Sequence, residues 1–397
     1  MTIGVLSQLD RLLSRTLTGA ELSVEAAAEL MAVREPRAIA DIRDAADEMR
    51  QQLVGDTVTY VVNRNINFTN ICEQHCSFCA FRRDAGAEGA YWLDEATIAS
   101  KAEAAIANGA TEICMQGGLN PDATIDGSTL KYYVQLVEHL HREWPELHLH
   151  AFSPQEIQFI ARQDGIDFAR VIAAIRDAGV GSLPGTAAEI FAPEVRRKLC
   201  PEKLTTDEWV DVVKTAHRLG MPTTSTMLGG HIESYRDRAE HFEVLRSLQK
   251  QAKSAGQTGF TEFILLPYVG ESAPQMLRRK VGRDQPVLDD AVLTMAVARL
   301  FMGEWIVNHQ PSWVKLGLDG AAIALQSGCN DIGGTLMEEH ITSMAGAKGG
   351  TGQSVEALRV AIASINRPSR ERTTLYGRVD KTKWESDREI RSAIGAD

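Results

Sequence analysis

Three cysteines, Cys72, Cys76 and Cys79, fall within eight positions in "NICEQHCSFCAF" (residues 70–81), and they are half of the chain's six. Thiolates spaced this closely suit soft metal centres. Three sulfurs can bind three irons of a cubane 4Fe-4S cluster and leave the fourth iron without a protein ligand, an open position for substrate chemistry. A structural zinc would instead need four protein ligands, and His75 inside the loop is the candidate fourth. A non-catalytic zinc or electron-transfer protein is therefore the competing class. Cys114, Cys200 and Cys329 stand alone in the sequence and read as small buried hydrophobes.

A loop carrying such a centre must hang from rigid elements. From Thr59 onward, short β-rich runs alternate with amphipathic helical stretches. The expected strands are "TYVVNRNINF", "TEICMQ", "LHLHAF", "VGSLPG", "PTTSTML", "FTEFILLPY", "EWIVNHQ" and a weak last one near "DIGGTL". The helices between them include "LDEATIASKAEAAIANG", "DFARVIAAIRDAG" and "TTDEWVDVVKTAHRLG", which end in Gly109, Gly179 and Gly220. A fourth is "LDDAVLTMAVARLFMG". Eight βα units fit an α/β fold of the (β/α)8 TIM-barrel type, which needs about 250 residues; a doubly wound open sheet is the alternative. The cluster loop then follows the first strand, on the face where barrel active sites are built. Residues 1–55 read as an N-terminal helical extension, with Thr18 and Glu21 spaced as a helix cap. Residues 56–345 read as the barrel, and residues 346–397 as a C-terminal helical/β extension whose charged tail after Gly377 reads as a surface helix.

Composition bounds the partners. Acidic residues outnumber basic ones by 53 to 42, a net charge of -11, which argues against a nucleic-acid backbone. No 18-residue apolar stretch is present, so no spanning helix and no membrane are expected. The opening "MTIGVLSQLDRLLSRTL" is interrupted by Asp10, Arg11 and Arg15 and does not read as a secretory signal. A cytoplasmic protein is expected, in a compartment where clustered cysteines serve metals more often than disulfides.

"CEQHCSFCAF" resembles the CxxxCxxC signature of the radical S-adenosylmethionine (SAM) enzymes. The resemblance implies a 4Fe-4S cluster on Cys72, Cys76 and Cys79 whose open iron chelates SAM, with one-electron cleavage of the sulfonium to a 5'-deoxyadenosyl radical. It implies that Phe78 lies near the adenine. Gln116, Gly117 and Gly118 of "MQGGLNP" would form the glycine-rich segment, where backbone carbonyls approach the methionine ammonium. Glu189 and Arg196, in the segment after the fourth strand, would hold the ribose hydroxyls and the methionine carboxylate.

Longer stretches narrow the resemblance. "HAFSPQE", "TSTMLGGHIE", "PSWVKLGLDGA" and "GCNDIGGTLMEEHITSMAGA" are similar to the tyrosine-using half of FO synthase, over residues 63–376. A radical enzyme of the menaquinone futalosine pathway is the rival, and "SWVKLG" with "NDIGGTLMEE" favours the former. Gly229 is a departure, because relatives tend to carry an aromatic residue there. The implied reaction removes hydrogen from the amino group of L-tyrosine, breaks its Cα–Cβ bond and joins the p-hydroxybenzyl group to 5-amino-6-(D-ribitylamino)uracil, in deazaflavin biosynthesis. One cysteine triad implies a separate ring-closing radical SAM enzyme, and the cluster implies a reductase or ferredoxin as electron donor. Because the tyrosine nitrogen must lose a proton, His231 or Glu233 is the expected base. The ribityl chain and uracil edge call for convergent polar groups. Asn67, His150, Ser153, Asn308, Gln310, Asn330, Asp331 and Glu338 are the candidates, with Trp313 as a stacking wall. Alternation through Arg64, Asn65 and Asn67 turns one set into the barrel.

Overall fold

The computed structural model of the chain describes residues 3–379, so most of the charged tail lies outside the described residues. The first three helices, α1 (Ile3–Leu17), α2 (Val24–Met31) and α3 (Pro36–Val54), form the N-terminal extension. The expected cap is displaced. Ser23, not Thr18, caps α2 by accepting the Ala26 N–H at 3.1 Å, while the Thr18 hydroxyl donates back to the carbonyls of Ser14 and Arg15. Glu21 instead receives Lys250 at 2.6 Å and the Trp305 indole at 2.8 Å, tying the extension to the barrel.

The expected first strand is split at Val62 into β1 (Val58–Val61) and β2 (Asn63–Ile66). The strands that follow are β3 (Glu112–Met115), β4 (His148–Ala151), β5 (Val180–Ser182), β6 (Thr223–Gly229), β7 (Phe260–Pro267), β8 (His309–Pro311) and β9 (Asp331–Gly334). All pair in parallel, β2 to β5 in one run and β6 to β8 in another, with β1 beside β9. Short seams close the circle: a parallel bridge from Leu183 to Thr223 with the hydrogen bonds around it, and a hydrogen bond of 3.1 Å from the Asn330 N–H to the His309 carbonyl. The architecture is the (β/α)8 barrel, not an open sheet. Only the end of "EWIVNHQ" is extended, because residues 303–308 turn to bring Trp305 against Glu21.

The connecting helices are α4 (Glu95–Ala107), α5 (Thr129–Glu143), α6 (Pro154–Asp164), α7 (Phe168–Asp177), α8 (Pro193–Leu199), α9 (Thr206–Arg218), α10 (Tyr235–Ser254), α11 (Gln275–Val281), α12 (Leu288–Met302) and α13 (Trp313–Leu325). Their starts are written locally: Ser153 with Glu156, and Thr205 with Glu208, form capping boxes at α6 and α9. In α12 every residue from Ala291 to Met302 is buried, because α2 and α3 pack on one side of it and the barrel on the other. A helix apolar all round needs such covering. Leu293, Leu300 and Phe301 then each contribute about 1.5–3 kcal/mol by burial.

Two further elements complete the chain, α14 (Val355–Ala363) and β10 (Ser369–Glu371). β10 does not form a separate layer. It pairs in parallel with β1, Val58 opposite Ser369, and carries Arg372 beneath the barrel interior.

Candidate active site

Two cavities, each of about 230 Å³, occupy the mouth and the interior of the barrel. They share Gln116, Thr186, Leu266, Ile341 and Thr342, which mark where they meet. Cys72, Cys76, Cys79 and Phe78 line the outer one. Their loop leaves β2 and is stitched to three neighbours: the Cys72 N–H donates to Arg83 at 3.1 Å, Glu73 to Leu119 at 3.0 Å, and Ser77 to Leu199 at 3.0 Å. Burial pushes the Cys72 thiol up and that of Cys76 to about 12. Such thiols ionise when a cation binds them. Three soft donors facing one cavity, with no fourth ligand from the loop, fit a cluster with one open iron. His75 is exposed and its ring lies 3.4 Å from Glu202 and 3.3 Å from Asp84, so it does not line the cavity as a fourth zinc ligand would.

Gln116, Gly117 and Gly118 line the outer cavity as expected, but the glycines have a further cause. A β-carbon at Gly117 would come within 2.6 Å of the Phe68 ring, and one at Gly118 within 2.2 Å of the Ile71 carbonyl oxygen. The Gly117 N–H donates to Glu156 at 3.0 Å, and the same carboxylate accepts Ser153 N–H and hydroxyl at 2.7 and 2.6 Å. Burial raises the Glu156 carboxyl to about 7 despite those bonds. Ser153 is thus the cap of α6 as well as a cavity residue. Across the cavity, burial works against ionising Glu189, but Lys203 at 2.6 Å holds its pKa below the ordinary value. The Lys203 ammonium also lies 5.7 Å from the Phe78 ring centre.

Arg196 departs from expectation. Its guanidinium donates to the backbone carbonyls of Ala188 at 2.5 Å, Ile190 at 3.2 Å and Leu204 at 2.6 Å, and it does not line the cavity. It shapes the loop that presents Glu189 instead of meeting a carboxylate.

His231 and Glu233 also leave the site. Neither lines the outer or the inner cavity, and both side chains are fully buried. The His231 Nδ1 lies 2.7 Å from Glu233, and its Nε2 lies 3.0 Å from the Leu228 carbonyl. Arg238 takes the other carboxylate oxygen at 2.8 Å. Burial opposes the Glu233 charge, but hydrogen bonding and charge from His231, with Arg238, bring its pKa down to about 2. This is a structural brace with no nitrogen free for substrate. Gly229 borders a cleft of about 10 Å³ there, so the absence of a side chain at this position opens no large void.

The inner cavity is polar. Asn63, Asn65 and Asn67 face it from the first strand, whereas Arg64 points away to pair with Glu338, which also receives Lys101 at 2.7 Å. Glu338 is thereby removed from the expected substrate set. His150, Gln310 and Trp313 line the cavity. The Trp313 indole donates to the Gly334 carbonyl at 3.0 Å, fixing its plane. Burial brings His150 down to about 4, and its Nδ1 sits 2.7 Å from the Ser182 hydroxyl. Asn308 and Asn330 are drawn elsewhere: the Asn308 amide donates to the Thr261 carbonyl at 2.9 Å, and Arg299 donates to Asn330 at 2.8 Å. Asp331 lies under the cavity without lining it and holds Arg372 at 3.0 Å.

Sequence reasoning missed Glu112, Glu156, Lys203, Glu262, Lys315 and Arg372, all of which line the cavities. Only Glu156 carried a signal, the capping-box spacing from Ser153. Burial, outweighing Arg372, raises the Glu262 carboxyl to about 7.

A parallel (β/α)8 barrel with three cysteines on the loop after its first strand defines the radical SAM class. The Radical SAM superfamily model matches residues 66–245, and the CofH/MqnC C-terminal region matches residues 257–383. The chain is 63% identical to the 5-amino-6-(D-ribitylamino)uracil--L-tyrosine 4-hydroxyphenyl transferase of a Cyanothece species, across 95% of this chain and 100% of that protein. It is 61% identical to the Nostoc punctiforme protein of the same name, across 94% and 98%. The chain belongs to this transferase family, CofH, within the radical SAM superfamily. Among solved structures, methylornithine synthase (PylB) superposes with a TM-score of 0.66 at 16% identity, covering 94% of this chain and 99% of that one. The hydrogenase maturase HydG from Carboxydothermus hydrogenoformans gives 0.69 at 14%, covering 94% and 81%. These likenesses concern the fold. No helix among the described residues is long and apolar enough to cross a membrane.

Proposed function

We propose that this chain cleaves L-tyrosine and joins its p-hydroxybenzyl group to 5-amino-6-(D-ribitylamino)uracil, the reaction in its relatives' name. The observation that carries this reading is the pair of cavities meeting at Gln116 and Thr186, one lined by thiols and the other by polar side chains. Cys72, Cys76 and Cys79 would hold a 4Fe-4S cluster, and Gln116, Gly117, Gly118, Phe78 and Glu189 would surround SAM. Bound together, these cofactors supply hydrogen-atom abstraction by reductive cleavage of a sulfonium.

The chain's own residues position the substrates. The Oδ1 atoms of Asn65 and Asn67 are buried without a hydrogen-bond partner among the described residues. A ribityl hydroxyl or a uracil N–H would satisfy them, and leaving them unmet is costly. His150 and Gln310 add polar edges, and Trp313 supplies a flat wall. The reading includes a cytoplasmic location, a separate ring-closing radical SAM enzyme and a reductase or ferredoxin as donor.

The test is anaerobic incubation with SAM, a reductant, L-tyrosine and the diaminouracil, and in parallel with a futalosine-type nucleoside. Coupled product from the first pair is expected. Turnover of the nucleoside alone would replace this reading with the menaquinone one. A colourless protein containing zinc would sink both.

A further inference from the structure

We propose that Lys315 anchors the carboxylate of the amino-acid substrate. The inference rests on the transferase reading above and deepens it. Lys315 lies in the first turn of α13 and lines the outer cavity, while its neighbours Trp313 and Val314 line the inner one. The residue therefore stands in the chain where the wall of one cavity passes into the wall of the other.

Every other lysine or arginine on those walls is engaged. Lys203 pairs with Glu189 at 2.6 Å, Arg372 with Asp331, and Arg82 with Asp84. The Lys315 backbone N–H donates to the Ser312 carbonyl at 3.1 Å, but its ammonium makes no hydrogen bond or ion pair among the described residues. A partly buried cation without a partner is costly to keep, so such a residue is most simply explained by an anion that arrives. Burial draws its pKa down to about 8, with Glu339 and Glu189 opposing the drop, and an ion pair would restore it.

The substrate chemistry selects the anion. Of the two molecules to be joined, the diaminouracil carries no carboxylate, whereas tyrosine carries one on the same carbon as its amino group. The inner cavity presents Glu112, Glu262 and Glu339 against the single, already paired Arg372, a poor place for a second negative charge. Held by Lys315, the carboxylate leaves the amino group and the Cα–Cβ bond at the junction and directs the phenol ring inward.

The test measures binding without turnover. Cluster-loaded enzyme with SAM and the diaminouracil, but no reductant, is titrated anaerobically with L-tyrosine or with tyramine, which lacks the carboxylate. Wild type should bind tyrosine more tightly than tyramine. Lys315→Met should weaken tyrosine about 10- to 100-fold, the range for losing a charge-assisted hydrogen bond, and leave tyramine and SAM affinities unchanged. Lys315→Arg should retain part of the preference. Unchanged tyrosine affinity in Lys315→Met, or loss of SAM affinity in place of tyrosine affinity, overturns the assignment while coupled product from wild type leaves the transferase reading standing. Wild type that binds no tyrosine overturns both. If Lys315→Met loses its iron, the decision falls to wild type and Lys315→Arg, where equal binding of tyrosine and tyramine by wild type refutes the anchor.

Discussion

A β-carbon at Gly118 would lie 2.2 Å from the carbonyl oxygen of Ile71, the residue before Cys72. Backbone on both sides leaves no flexible atom to yield, so Gly118→Ala must push the cysteine loop off the glycine segment. Overpacking costs about 1–3 kcal/mol even where repacking is possible. Gly118→Ala is expected to refold with the same helix content but to retain well under half the iron of wild type after identical anaerobic reconstitution. Full iron loading would show that the loop has slack. Gly117 meets a side chain, yet Phe68 is locked edge-on between Tyr133 at 5.7 Å and Phe152 at 5.9 Å, so Gly117→Ala should show the same defect in milder form. His150 gives a separate prediction. Burial holds its folded pKa near 4, below the ordinary 6.5, so unfolding takes up a proton between those values. Its contribution to stability is complete above pH 6.5 and is lost as the pH falls towards 4, by up to about 1.4 kcal/mol per pH unit. Glu156 and Glu262, raised to about 7, slope the other way: their burial costs stability as the pH rises through 4.5 to 7. The difference between wild type and His150→Gln therefore isolates the histidine. Denaturant unfolding from pH 7 to 4 should find the variant losing less stability on acidification, and parallel curves would contradict the shift.

At the scale of elements, β10 is three residues long, and it is the residues just beyond it, Arg372 and Thr374, that line the inner cavity. Arg372, one residue beyond it, binds Asp331 through two nitrogens and reaches Glu262 at 3.5 Å. Removing one partner from a buried pair leaves a charge stranded, at about 3–5 kcal/mol. Arg372→Ala should therefore lower the melting temperature by several degrees and weaken diaminouracil binding. A variant with wild-type stability would mean that Asp331 and Glu262 find other partners. The same element shows where the sequence stops being legible. Most of the strands after the first were readable because β-rich runs alternate with helical stretches, three of which end in Gly109, Gly179 and Gly220 just before a strand. "SRE" has no apolar residue and takes its register from β1, so nothing local announces it. The split at Val62 and the late start of β8 have the same origin in contacts distant along the chain. In the site, the cysteine loop stood out by its spacing, and the glycine segment only through the resemblance to the radical SAM enzymes. His231 and Glu233 sat at the right strand end but were misread, because Arg238, a turn into α10, draws the pair inward. Lys203, Lys315 and Arg372 are single basic residues among many, and only the fold distinguishes them.

The whole barrel is two parallel runs of strands joined at narrow seams, and the seam between β5 and β6 borders the inner cavity. Leu183 accepts the Thr224 N–H at 3.1 Å and donates to Pro222 at 3.0 Å; just beyond, the Gly185 N–H donates to the Thr224 hydroxyl at 2.8 Å and its carbonyl accepts the Thr226 hydroxyl at 2.8 Å. A β-carbon at Gly185 would stand 1.9 Å from the Thr224 carbonyl oxygen, a backbone atom that cannot step aside without parting the strands. Pro184 and Thr186, on either side, line the inner cavity, so the seam and the site share their geometry. Gly185→Ala is expected to lower stability and to speed amide exchange at Leu183 and Thr224 while residues within β7, paired on both sides, stay protected. Gly109→Ala serves as the comparison, because Gly109 has a left-handed φ of +83° with nothing within 4 Å of its missing side chain. Its cost, about 1 kcal/mol of backbone strain, should stay at the end of α4 and leave seam exchange unchanged. If both variants lose stability but neither opens the seam, the barrel closes as one cooperative unit and the two-run description fails. If only Gly185→Ala opens it, and diaminouracil binding weakens in step, the substrate cavity depends on the closure of the barrel as well as on the residues that line it.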